Sequence, residues 1–226
     1  MAVSDGSSAG PRRSGRRIVV ALLSGGLDSS TMCAVLVDRG WIVLPLFVNY
    51  GQRALRAERL AVPKVVKLLK LRAHREVSID GLSGRRLDLL GSPRATKRSA
   101  AVLSLDQQFI QAFVPQRNLL LLTIASVVAY QNNSSAIAIG AIDAGGAGYV
   151  DTTPAYLRLA AGLLRRSQPI QVIAPFAGWT KERVVRAARR HRFDYSVTHS
   201  CVVADRPCGA CASCVDRIAS IGELWP

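Results

Sequence analysis

The sequence predicts a doubly wound α/β protein with a mostly parallel sheet, and three observations carry that expectation. Apolar runs (IVVALL at 18–23, WIVLPLFV at 41–48, AIAIG at 136–140, IQVIA at 170–174) alternate with helix-length segments, the order that builds βαβ units. The first run stops at the turn SGGLDSS, residues 24–30, where open α/β sheets bind ligands. Four cysteines crowd into SCVVADRPCGACASC at 200–214 and add a metal-type loop behind the last helix-length segment.

Each element has a local reason. Residues 1–17 hold Arg12, Arg13, Arg16 and Arg17 against Asp5 and no apolar core, so they read as a basic tail and not as a secretory signal. Residues 18–226 then read as a single domain that includes a zinc loop at 200–217. A strand at 18–23 leads through the turn into a helix at about 29–39, with Asp28 near its N-cap and Gly40 as its stop. A strand at 42–48 and a helix at 54–71 follow, and AHREVSI at 73–79 offers a further strand. Residues 83–114 have the poorest pattern and read as a mobile lid. Helices at 118–131, 156–166 and 180–191 enclose strands at 136–140 and 170–174.

Composition bounds the function. No apolar run in the 226 residues approaches the roughly 20 that a membrane helix needs, so the cytoplasm is the expected compartment. The formal charge is +15, and 25 of the 30 basic residues are arginine. Arginine suits phosphate and carboxylate, so the excess fits a nucleotide or nucleic-acid partner as well as it fits plain solvated surface.

The turn 24–30 narrows the choice. A glycine turn between strand and helix gathers free backbone N–H groups at the positive end of the helix dipole and suits an anion. The dinucleotide fingerprint needs a third glycine and the Walker loop needs a lysine, and both are missing here. An ordinary glycine turn accounts for Gly25 and Gly26 but not for the Ser-Gly-Gly-x-Asp-Ser order. That order resembles the PP-loop of the ATP pyrophosphatases (adenine nucleotide alpha hydrolase-like fold), which split ATP into AMP and pyrophosphate. The resemblance implies an ATP site at Leu23, Ser24, Gly25, Gly26, Leu27, Asp28, Ser29, Ser30 and Thr31, with Ser24 and Asp28 catalytic and Asp28 associated with Mg²⁺.

The spacing Cys201-x6-Cys208-x2-Cys211-x2-Cys214 weighs against disulfides in a reducing compartment, and a Cys-x-x-Cys redox pair leaves two thiols unused. Four thiolates suit a tetrahedral structural Zn²⁺, with an iron–sulfur cluster as the rival. Cys33 lies on the first apolar helix and is expected to pack.

Both motifs together resemble the 7-cyano-7-deazaguanine synthase family, which uses ATP and ammonia to turn the carboxylate of 7-carboxy-7-deazaguanine into a nitrile. Matching segments run in family order from about residue 18 to 220: SGGLDSS, NYGQRALRAE, FVPQRNLLLL, AIAIGAIDAGGAGYVD, APFAGWTKERV and THSC…CGACASC. The resemblance implies substrate contacts at Gln52, Arg53, Arg117, Asn118, Tyr149 and Asp151, a catalytic Lys181 that contacts pyrophosphate, and a homodimer. A guanidinium at the start of a helix opposes the dipole, which itself suggests an anion near Arg117. A carboxylate such as Asp151 accepts the paired N–H groups of a guanine-like ring, and Tyr149 offers a face to stack it on.

The chain departs from the family where the deazapurine is expected. Gln116 stands for a family glycine, and Val150, Thr152 and Thr153 stand around Asp151 for Pro, Cys and Arg. Asp143 remains beside Gly145 from an expected acidic pair, and Val202 replaces an aromatic. A relative that stops at the amide, or joins the activated acid to another amine, protein included, is the alternative these changes raise. A PP-loop enzyme that adenylates a tRNA base and a non-catalytic zinc-knuckle nucleic-acid binder are the remaining rivals; the second leaves SGGLDSS without a purpose.

Overall fold

The computed structural model describes residues 17–82, 114–142 and 149–222. The basic tail up to residue 16, the expected lid at 83–114 save its last residue, and Asp143 and Gly145 lie outside the described residues.

Five strands form one sheet in the order β3-β2-β1-β4-β5, with every pairing parallel. They are β1 (Ile18–Leu22), β2 (Ile42–Asn49), β3 (Arg75–Ser78), β4 (Ala136–Ala138) and β5 (Gln171–Ile173). Helices α1 (Leu27–Asp38) and α2 (Leu55–Leu68) follow β1 and β2, and α3 (Arg117–Gln131) precedes β4. Then come α4 (Pro154–Ser167), α5 (Lys181–Arg190) and α6 (Ala212–Ile221). Short 3-10 turns occupy Val150–Thr152 and Tyr195–Val197.

The doubly wound prediction is borne out, and AHREVSI does supply a parallel edge strand. The first helix begins at Leu27, two residues before the expected start, with Gly26 as N-cap and Asp28 in its first turn. The cysteine region is not all loop, because Cys211 caps α6 and Cys214 lies inside it.

A parallel sheet covered on both faces explains the near-continuous apolar strands. Along β1, Val19 and Ala21 meet α1, α2 and α5 through Met32, Val62 and Val184, while Val20 and Leu22 meet α3 and α4 through Leu122 and Leu157. Cys33 is fully buried in the first of these cores, and burial pushes its thiol up to about 12. It packs, as expected, and is no nucleophile.

The chain winds from β1 outward to β3, then crosses to β4 on the other side of β1. The β1/β4 boundary is therefore the switch point, where the two windings diverge and leave a crevice at the carboxyl ends of the strands. SGGLDSS sits in that crevice.

Candidate functional site

The turn after β1 is shaped by close packing. Gly25 has φ +75°, and a Cβ there would stand 2.7 Å from the Ala61 Cβ and 3.1 Å from the Val62 nitrogen on α2, so only glycine fits. On the other side Gly140, just past β4, would bring a Cβ within 2.9 Å of both the Ser29 nitrogen and Cα. These two glycines let α2 and β4 clamp the start of α1. Within the turn, Gly26 N–H donates to Ser24 Oγ (3.3 Å) and the Ser24 and Ser29 hydroxyls lie 3.1 Å apart.

The loop borders a cleft of about 320 Å³. Leu23, Ser24, Gly26, Leu27, Asp28 and Ser29 line it; Gly25, Ser30 and Thr31 do not. Ser30 and Thr31 are fully buried, and the Thr31 hydroxyl donates to Leu27 O at 2.7 Å. The Ser30 hydroxyl is buried with no hydrogen-bond partner among the described residues.

Lys181, first residue of α5, reaches across the cleft to the loop: its Nζ donates to Asp28 Oδ2 at 2.6 Å. The second oxygen, Asp28 Oδ1, is buried with no hydrogen-bond partner among the described residues. Asp216 on α6 lines the same end. Burial raises its carboxyl, Lys181 opposes the rise, and Asp28 adds to it. The sequence reading missed Asp216; its place two residues beyond the last cysteine was the available signal.

The other end of the cleft carries Tyr50, Gln52, Glu58, Arg117, Asn118 and Tyr149. The Arg117 guanidinium stands 5.6 Å from the centre of the Tyr149 ring. Although burial works against its charge, Tyr50, Asp151 and Tyr149 raise its pKa overall. Arg53 and Asp151 lie outside the lining of the cleft. Asp151 is instead buried under the start of α3, where its Oδ2 accepts from Asn118 N–H and its carbonyl accepts from Asn118 Nδ2, both at 3.1 Å. Its Oδ2 answers one orphan amide of α3, while its Oδ1 is buried with no hydrogen-bond partner among the described residues.

Gln116 occupies a left-handed conformation, φ 58° and ψ 18°, as the N-cap of α3. This is backbone that favours glycine. Its Oε1 accepts from the Tyr156 hydroxyl on α4, a bond glycine could not make.

The four cysteine sulfurs all lie within 4.8 Å of one another, and Cys208 and Cys214 Sγ are 3.9 Å apart. A tetrahedral ion with 2.3 Å bonds to sulfur needs edges of about 3.8 Å, so the cluster fits one ion held by all four thiolates.

The cysteine cluster is tied to the loop at 24–30. Arg217 on α6 is buried and donates to Thr198 Oγ1 (2.8 Å), Ser200 Oγ (3.1 Å) and Tyr195 O (3.1 Å). Between those residues, His199 N–H donates to Gly25 O at 2.9 Å.

Comparison with known proteins places the chain in a family. The family model described as "Queuosine biosynthesis protein QueC" matches residues 18–224. The "7-cyano-7-deazaguanine synthase 1" of Desulfitobacterium hafniense (strain Y51) is 33% identical over 210 residues, covering 92% of each chain. The 7-cyano-7-deazaguanine synthase of Azotobacter vinelandii is 34% identical over 211 residues, covering 88% of this chain and 91% of its own. Among solved structures, the U34-tRNA thiolase NcsA from Methanococcus maripaludis with its [4Fe-4S] cluster aligns with TM-score 0.51 at 18% identity, over 80% of this chain and 59% of that one. That likeness concerns the fold. On the family match and on relatives a third identical along nine-tenths of their length, the chain belongs to the queuosine biosynthesis protein QueC family.

Proposed function

We propose that the chain is an ATP-dependent carbon–nitrogen ligase that converts 7-carboxy-7-deazaguanine and ammonia to 7-cyano-7-deazaguanine through adenylated intermediates. The single observation that carries this reading is the cleft, with an anion-holding turn and Lys181 at one end and buried Arg117 beside Tyr149 at the other. A carboxylate held by Arg117 lies in the same cleft as a triphosphate held by Ser24, Gly26 and Ser29. Its oxygen attacks the α-phosphorus, pyrophosphate leaves, and the oxygen that was a poor leaving group departs later as part of AMP.

Lys181 neutralises charge on the departing pyrophosphate, having left Asp28 for the phosphates. Asp28, with its unpartnered Oδ1, is the residue to hold Mg²⁺, which supplies further charge neutralisation when bound. Cys201, Cys208, Cys211 and Cys214 hold a structural Zn²⁺; with four protein ligands it keeps no open position for substrate. Gln52 and Asn118 line the acceptor end, and Tyr149 stacks the deazapurine.

A second reading has its own observation. Asp151, expected to read the purine edge, is turned to the start of α3 and lies off the cleft wall, and the family residues beside it are absent. An acceptor end altered in this way favours a member that stops at the amide or conjugates the activated acid to another amine. Mass spectrometry after incubation with ATP, Mg²⁺, ammonia and 7-carboxy-7-deazaguanine decides. The nitrile appears with two AMP per product, the amide with one. AMP without either product means another nucleophile, and no AMP with this acid or any related one sinks the ligase reading. Light scattering checks the homodimer, at twice the 24.3 kDa of one chain.

A further inference from the structure

We propose that Glu58, in the first turn of α2, is the catalytic base that takes a proton from the attacking nitrogen. The inference rests on the ligase reading and adds the residue that makes the nitrogen-transfer half of the reaction work. Three carboxylates line the cleft among the described residues: Asp28, Asp216 and Glu58. The first two sit with Lys181 at the end of the cleft formed by the loop 24–30. Glu58 lies near Arg117, in the group with Tyr50 and Gln52.

Its side chain is held for the task. Glu58 Oε2 accepts from Gln52 Nε2 at 2.7 Å, and Gln52 is buried and fixed by bonds to Val48 O (3.2 Å) and from Tyr50 N–H (2.9 Å). The charged and titratable groups around Glu58 are Arg117 on α3, Tyr50 at the end of β2, His199 on the cleft wall and Asp205, whose Oδ1 accepts from the neighbouring Ala57 N–H. Burial pushes the Glu58 carboxyl up to about 7, with the Gln52 bond and the Arg117 charge opposing the rise. A base is most effective when it titrates near the working pH.

The step balances without any further reactant. Ammonia forms a C–N bond to the acyl carbon of the adenylate, and the carbonyl pair moves onto oxygen. Glu58 accepts one proton from the cationic nitrogen. The carbonyl re-forms as the C–O bond to AMP breaks, AMP leaves with that electron pair, and the proton on Glu58 passes to water. The products are the amide, AMP and one proton.

Glu58→Gln separates this role from the others. Exchange of labelled pyrophosphate into ATP, measured with acid but no amine, reads adenylation alone and is expected to stay within a few-fold of the parent. Amide or nitrile formation is expected to fall about 100-fold or more. At constant free ammonia, the parent rate of nitrogen transfer rises with pH through a group titrating near neutrality; the variant loses that rise. Hydroxylamine, a stronger nucleophile that is neutral at pH 7, restores acyl transfer in the variant. Nitrogen transfer at the parent rate overturns the proposal, and so does exchange lost in parallel with product. No exchange in the parent itself defeats the ligase reading instead, so the two failures are distinguishable.

Discussion

Gly140→Ala tests how the site is held together. A methyl group at this position would stand 2.9 Å from the Ser29 nitrogen and Cα and 3.1 Å from the Asp28 carbonyl carbon. Ordinary Cβ contacts begin near 3.4 Å, so the start of α1 must retreat by roughly half an ångström. The atoms met are backbone, and no side-chain rotation relieves them. Overpacking of this kind costs about 1–3 kcal/mol, or roughly 3–10 °C in melting temperature for a chain of this size. The displaced atoms belong to Asp28 and to the amide of Ser29, so the functional loss exceeds the loss of stability. A misplacement of about 1 Å can cost about 100-fold in rate, and half of that predicts about tenfold in kcat/KM for ATP. Pyrophosphate exchange alongside a thermal melt reads both quantities. A variant that melts lower but keeps the parental kcat/KM refutes the claim that the β4 end positions the α1 terminus.

Three further outcomes are expected. At Gln116, whose φ is 58°, glycine should be more stable than alanine by about 1 kcal/mol in urea melts, the reverse of the usual helix ranking. Arg217→Met removes a buried cation with three acceptors; it should cost about 2–4 kcal/mol and raise KM for ATP, because the segment it braces holds Gly25. Glu58 sets a pH dependence of stability: its folded pKa of about 7 lies above the ordinary 4.5, so its contribution is full below about 4.5 and is lost as pH rises through 7. Glu58→Gln should therefore gain about 1–2 kcal/mol on the parent between pH 5 and pH 8, a value already discounted for partial exposure.

Most of the frame was legible because strand and helix leave different periods in the sequence. The strands, β3 included, lie within the expected segments except that β2 runs one residue further to Asn49, since buried parallel strands are continuous apolar runs bounded by turn residues. SGGLDSS and the cysteine spacing were legible for a stronger reason, as their chemistry depends on residues adjacent in sequence. The acceptor end was less so. Asp216 reaches the cleft from α6, where nothing local marks it, and Tyr50 and Glu58, although inside the matching segment NYGQRALRAE, reach it only through the packing of the end of β2 and of α2. The setting of Asp151 was no more legible: a glycine-rich loop does not reveal which way its carboxylate turns, and here its Oδ2 accepts from the Asn118 amide at the start of α3. Gln116 stood out as a departure from the family glycine, but only its left-handed backbone and its bond to Tyr156 explain why glycine is common there and how glutamine manages.

The proposed chemistry turns on attack by a carboxylate oxygen of the acceptor on the α-phosphorus of ATP held on residues 24–29. Acid labelled with ¹⁸O in its carboxylate tests this directly, with AMP analysed by mass spectrometry after turnover with ammonia. AMP carrying one labelled oxygen in its phosphate is the expected product. Unlabelled AMP, formed while the acid is consumed, would contradict it.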